Sequence, residues 1–163
     1  LLDKKIIDKI CVVPTGNYWD KNNLVDISMR IDMLKFYEND NIFIDSVNND
    51  YQYTYQLMRR LSEVYKNDEL YLVIGADNII NFDKWKKYEE LLSYNIIIMN
   101  KDNVDILKYI LKFKGKFNVI SNYKFIDISS TKIRSDIYKY RKYLDDRVFK
   151  YIIDNKLYGG SYE

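Results

Sequence analysis

Histidine is absent from the 163 residues, which removes at once the commonest general base and the commonest transition-metal ligand. Cysteine occurs once, as Cys11 inside an apolar run, so no internal disulfide is available and a reducing, cytoplasmic setting is expected. No apolar run approaches the length of a bilayer span. The opening Leu1-Leu2-Asp3-Lys4-Lys5 has no basic segment followed by a sustained apolar stretch, so neither a targeting peptide nor a membrane partner is expected. A large excess of one charge is also missing. A net charge of +2 is too small for phosphate-backbone recognition, so no nucleic-acid partner is expected and any polyanion site must be local.

What is present is ordinary for a globular protein: 47% hydrophobic and 31% charged residues exclude a disordered class. The length corresponds to about one domain with one core, and nothing reads as a linker or a repeat, so residues 1–163 are taken as a single domain. The 17 tyrosines, beside abundant Lys, Asn and Ile, are a bias spread over the whole chain and carry no stacking role as a group.

Short, continuous, β-branched runs at Ile10 to Val13, Ile42 to Ile44, Leu70 to Ile74 and Ile96 to Met99 predict strands covered on both faces. Between them lie stripes of helical period: Ile27, Ile31 and Leu34, then Leu57, Leu61 and Val64, then Ile106, Ile110 and Leu111. Strand and helix in alternation predict an α/β protein, a Rossmann-like open and mainly parallel sheet with helices on both faces. After Lys116 come short strand-like pieces at Val119-Ile120 and Phe125 to Ile128. A helix follows from about Lys132 with Ser129 or Ser130 as N-cap, and a last helix runs from roughly Asp146 to Asn155. Ligands of open α/β sheets sit beyond the carboxyl ends of the strands. Four segments are therefore expected at the site: Pro14 to Lys21, Gly75 to Trp85, the loop after Met99, and Ser129 to Arg134.

Each segment has a chemical and a plain reading. Ser129-Ser130-Thr131 with Arg134 one turn in makes a phosphate cradle, or a Ser/Thr cap followed by an exposed arginine. Pro14-Thr15-Gly16-Asn17 fixes a turn from which Lys21 reaches back to a phosphate; the alternative is a surface loop with a solvated lysine. Gly75-Ala76-Asp77-Asn78 offers close backbone approach and a carboxylate for a ribose, and Trp85 a stacking face. Alternatively Asp77 caps a short helix and Trp85 fills the core. Tyr53-Thr54 opens a helix that either presents a backbone amide to an acidic substrate or is only a capped start.

The order of these segments resembles bacterial nicotinate-nucleotide adenylyltransferase over nearly the whole chain. It is carried by Pro14 to Asn17 with Lys21, Arg30, Tyr53-Thr54, Gly75 to Asn78 with Trp85 and the continuation Lys86 to Leu91, Ile128 to Arg134, and Leu157-Tyr158. The serine-threonine-arginine motif is shared with pantetheine-phosphate adenylyltransferase and cytidylyltransferases; the stretch from Gly75 to Leu91 is the more specific. The resemblance implies transfer of AMP from ATP to nicotinate mononucleotide in NAD biosynthesis, with release of pyrophosphate and with Mg2+ carried on the ATP phosphates. It implies ATP contacts from Asp77, Ser130, Thr131 and Arg134, with Lys21 and Arg134 as the catalytic cations. It also implies contacts to nicotinate mononucleotide from Thr54, Trp85 and the backbone of Lys86. Such chemistry rests on positioned cations and in-line geometry, so the lack of a nucleophile triad is no objection.

Family members begin with a strand, a glycine-containing phosphate loop and a His-x-Gly-His motif that opens the first helix. None of these is among the 163 residues, and Leu1 to Asp8 resembles the tail of that helix. The expectation is an N-terminally incomplete domain short by roughly 20 to 30 residues at usual element lengths. Its absent strand would lie between those at Ile10 and Leu70. Loss of a positioned donor costs on the order of a hundred- to a thousand-fold in rate, so little activity is expected of these residues alone. Smaller departures are Tyr18-Trp19-Asp20, Gln56-Leu57 and Lys101. Other phosphorylated acceptors, or nucleotide binding without catalysis, are alternative readings of the same residues, and homo-oligomerisation is left open.

Overall fold

The computed structural model describes residues 1–16, 25–100, 104–121, 123 and 126–159. The chain divides into two compact units, Leu1–Asp50 with Asp127–Glu163, and Tyr51–Ile126.

The unit Tyr51–Ile126 is built on three parallel strands in the order β3 (Tyr71–Gly75), β4 (Asn95–Met99), β5 (Lys116–Ile120), with Val73 opposite Ile97 and Ile97 opposite Asn118. β4 lies in the middle, and its Ile96, Ile97 and Ile98 are fully buried, which is why its apolar run does not alternate. A parallel pair cannot be closed by a tight turn. The crossovers are α3 (Ala76–Ile80) with a 3-10 turn (Phe82–Lys84) and α4 (Tyr88–Leu91) between β3 and β4, then α5 (Leu107–Phe113) between β4 and β5. α2 (Thr54–Val64) buries Met58 and Leu61. Phe82 is the centre of the aromatic packing, edge-on to Phe113 at 5.7 Å and to Tyr88 at 6.2 Å.

The second unit pairs β1 (Ile10–Val12) with β2 (Ile42–Ile44) in parallel, Ile10 opposite Ile42. α1 (Ile27–Lys35) connects them, capped by Asp26, whose Oδ1 accepts the Ser28 N–H at 2.8 Å. The returning segment adds α6 (Ser130–Ser135), a 3-10 turn (Arg141–Tyr143), α7 (Asp146–Asp154) and a last 3-10 turn (Leu157–Gly159). Met33, Ile137, Val148, Ile152 and Leu157 form its core. The Asp145 cap of α7 accepts the Arg147 N–H and pairs with its guanidinium, which pulls the carboxyl from 3.8 down to about 2. At the start of the chain, the Ile6 N–H bonds Leu1 O, the Lys5 N–H bonds Leu2 O, and Lys5 has φ 51°. These bonds close a turn over residues 1–6.

The α/β class and the parallel pairing agree with the sequence reading, and the four predicted strands are present within a residue or two. Differences lie at the ends and on the stripes. Val64 and Leu111 are exposed; Met58 and Phe113 take the buried places instead. The late helix starts at Ser130, two residues earlier than expected, because Ser129 caps it. Val119-Ile120 closes a full five-residue strand. Residues 126–129 have no regular structure, and Phe125 lies outside the described residues. The β1–β2 and β3–β4–β5 ladders are separate, and among the described residues no ladder joins β1 to β3. No helix among the described residues is long and apolar enough to cross a membrane.

Candidate nucleotide site

At the carboxyl end of β3, Gly75 is the N-cap of α3 and adopts extended backbone, φ −79° and ψ 160°. Asp77 folds back so that its Oδ1 would collide with a Cβ at position 75, with Asn78 alongside, its Nδ2 3.4 Å from that oxygen. The exposed Asp77 carboxylate stands at the strand exit, in space that a side chain on residue 75 would take.

Further on, Trp85 follows the 3-10 turn in extended conformation, half-buried, its ring 5.3 Å from that of Phe82. Asp83 in the turn is tied to α5 by Lys112 Nζ at 2.6 Å. That ammonium holds the Asp83 carboxyl below its usual range, and the carboxylate in turn raises Lys112. The indole is therefore neither a core residue nor free: part of it packs on Phe82 and part remains accessible.

Lys86 and Lys87 lie against the start of α2. Lys86 Nζ sits over the Tyr53 ring at 4.8 Å and Lys87 Nζ over the Tyr55 ring at 4.9 Å, and the two rings stack at 6.1 Å and 22°. Arg59 also faces Tyr55 at 5.3 Å and forks onto Glu90 of α4, Nη2 to Oε2 at 2.6 Å. Lys87 has φ 54°, so the chain turns sharply there to enter α4. Gln56 Oε1 accepts the Tyr53 N–H at 3.2 Å, half of a capping box that an acidic residue at 56 would also supply. Lys86 thus reaches the start of α2, where Thr54 is the first residue, through its ammonium over the Tyr53 ring. Beyond β4, the buried Asn100 closes its loop with reciprocal bonds to Val104, both 2.9 Å. Lys101 lies outside the described residues.

In the other unit, Ser129 Oγ accepts the Lys132 N–H at 3.2 Å and so is committed as the cap of α6. Ser130 and Thr131, the next two residues, keep exposed hydroxyls, and Arg134 is half-buried rather than a loose surface charge. Arg30 of α1 donates to Thr15 O at 2.8 Å and to Val25 O at 3.2 Å, tying the turn after β1 to the helix. Both Arg30 and Arg134 act electrostatically on Tyr158, whose phenol is nevertheless pushed up, chiefly by burial. Lys21 lies outside the described residues.

Comparison with known proteins decides the family. The family model described as Cytidylyltransferase-like matches residues 1–136. A Borreliella burgdorferi protein named "Probable nicotinate-nucleotide adenylyltransferase" is 38% identical over 163 residues, covering 93% of this chain and 82% of its own. One of the same name from Acholeplasma laidlawii is 34% identical over 157 residues, covering 92% and 81%. The chain belongs to the nicotinate-nucleotide adenylyltransferase family. A solved member, the Plasmodium falciparum nicotinic acid mononucleotide adenylyltransferase complexed with NaAD, superposes with a TM-score of 0.77 at 25% identity, over 99% of this chain and 90% of that one. The same enzyme complexed with APC matches equally well.

The structure places Gly75 and Asp77 at the exit of β3, Trp85 after the 3-10 turn and Ser130 to Arg134 in α6, and it adds neighbours that the sequence reading did not single out. Tyr55 and the ring of Tyr53 carried no local signal, because tyrosine is too frequent here to stand out. Tyr158, quoted only as part of a closing dipeptide, proves to sit at φ 67° beside two arginines.

Proposed function

We propose that the protein transfers the adenylyl group of ATP to the phosphate of nicotinate mononucleotide, giving deamido-NAD and pyrophosphate, as a cytoplasmic step of NAD biosynthesis. An acceptor phosphate oxygen attacks the α-phosphorus, the bond to the bridging oxygen breaks, and pyrophosphate carries the electron pair away. Exposed hydroxyls of Ser130 and Thr131 and the guanidinium of Arg134 hold the triphosphate, Lys21 adds positive charge, and Asp77 accepts from the ribose. Magnesium enters on the triphosphate as part of the substrate; hard phosphate, hydroxyl and water oxygens are its natural ligands.

Trp85 stacks on the pyridine ring, while the Lys86 amide and the first turn of α2 at Thr54 meet the ring carboxylate. The observation that carries the reading is this last one. Trp85-Lys86 lies far from Tyr53-Thr54 in sequence, yet the Lys86 ammonium sits over the Tyr53 ring at the start of α2, which supports a stacking face with positive charge near a helix start. Such a constellation suits an aromatic acid, which is what distinguishes this acceptor from other phosphorylated ones. The test is pyrophosphate release with MgATP across nicotinate mononucleotide, nicotinamide mononucleotide and phosphopantetheine. Turnover with the first is expected. Turnover only with another acceptor would replace the assignment, and ATP binding without turnover on any would reduce the protein to a nucleotide-binding module.

A further inference from the structure

Lys86 and Lys87 are consecutive, yet each ammonium lies over a different tyrosine of the same helix start, Tyr53 at 4.8 Å and Tyr55 at 4.9 Å. The two rings stack on each other, and Arg59, which also faces Tyr55, is forked onto Glu90 one turn beyond Lys87. Between these anchors the chain passes from extended Trp85 to left-handed Lys87 in a single turn, closed by the Tyr88 N–H on Trp85 O at 3.2 Å, with no ladder to reinforce it. A stretch of this kind loses conformational freedom when it closes on a ligand, unless something has already fixed it.

We propose that Tyr53 and Tyr55 are positioning residues for the acceptor nucleotide. By holding the two ammonium groups they fix the Trp85-Lys86 peptide beside Thr54, so that stacking face and amide donor are set before the ligand arrives. The inference rests on the acceptor site described above. It adds that the phenyl faces, not the hydroxyls, do the positioning, because a cation is drawn to the π face of the ring. Lys86 then contributes twice, its amide toward the ligand and its ammonium toward Tyr53.

Calorimetry of nicotinate mononucleotide and, separately, of MgATP with the full chain tests this. Tyr53→Leu should weaken nicotinate mononucleotide binding by about two- to five-fold, the size of an exposed cation–π contact, and leave MgATP binding unchanged. Tyr53→Phe, which keeps the face and loses the hydroxyl, should bind as the unaltered protein does. If Tyr53→Leu does not fold, Lys86→Met reads the same contact from the other side with the amide retained, and Lys86→Arg should restore binding. Equal loss of both ligands in Tyr53→Leu would mean a merely structural tyrosine and overturn the proposal. So would wild-type affinity in Tyr53→Leu and Lys86→Met, or equal loss in Tyr53→Phe. Failure of the unaltered protein to bind nicotinate mononucleotide at all would overturn the acceptor assignment and this inference together, a result distinguishable from the others because it needs no variant.

Discussion

Gly75 shows how a single missing side chain sets chemistry without setting stability. A methyl group there would meet Asp77 Oδ1, the far end of a side chain that can swing away, whereas the other nearby atoms lie at an ordinary 3.6 Å. Gly75→Ala should therefore leave the melting temperature almost unchanged and displace the carboxylate. With Asp77 on the ribose, the Michaelis constant for ATP should rise about ten-fold, the scale of one hydrogen bond to a charged group, and Asp77→Asn should do much the same. An unchanged constant in both variants would remove Asp77 from the site. Cys11 makes a different kind of prediction. Burial, with Asp45 adding repulsion, raises its thiol from 9.0 to about 11, so the folded state favours the protonated form. Whatever stability this confers is complete below about 9 and is lost as pH rises toward 11. At pH 8.5 the folded protein should hold about a hundred-fold less thiolate than the urea-unfolded chain, by two units of pKa. Alkylation by iodoacetamide should be slower in proportion; equal rates would refute the shift.

At the scale of elements, much was legible because strand cores and helix caps are local chemistry. The β-branched runs at Ile42 to Ile44 and Ile96 to Met99 and the start of the last helix at Asp146 came out where the residues placed them. Stripe membership did not, because Leu111 and Phe113 both fit a helical period, and only packing against Phe82 and Tyr88 selects Phe113. Helix ends were harder still. This chain has five glycines, and several sharp turns fall on lysine: Lys5, Lys87, Lys114 and Lys156 all have φ of 50–54°. An L side chain in that region is disfavoured by roughly 1–2 kcal/mol, and glycine avoids the cost. Lys156 follows α7, and its N–H donates to Ile153 O. Lys156→Gly should stabilise the fold by about 1 kcal/mol and raise the melting temperature by about 2–4 °C. A fall in melting temperature would show that the lysine side chain contributes more at that position than its backbone strain removes.

For the molecule as a whole, the assigned ligand groups divide by unit. Thr54, Trp85 and Lys86, proposed for the acceptor, belong to Tyr51–Ile126, and Asp77 belongs there too. Ser130, Thr131 and Arg134, proposed for the triphosphate, belong to the other, as do Arg30 and Tyr158. Local sequence suggested each set separately, through a glycine at a strand exit and hydroxyls at a helix start. The link from Lys86 to Tyr53 and from Arg134 to Tyr158 needed three dimensions, because these pairs are far apart in the chain. Trp85 and Arg134, proposed for different ligands, should separate kinetically. Trp85→Ala removes stacking worth about 1–3 kcal/mol, so it should raise the Michaelis constant for nicotinate mononucleotide about five- to a hundred-fold and leave that for ATP close to its original value. Arg134→Ala should do the reverse, weakening ATP use with little change in the acceptor constant. Steady-state kinetics with each substrate varied in turn reads both. If Trp85→Ala weakened ATP and spared the acceptor, the indole would belong to the adenine and the two ligand assignments would exchange places.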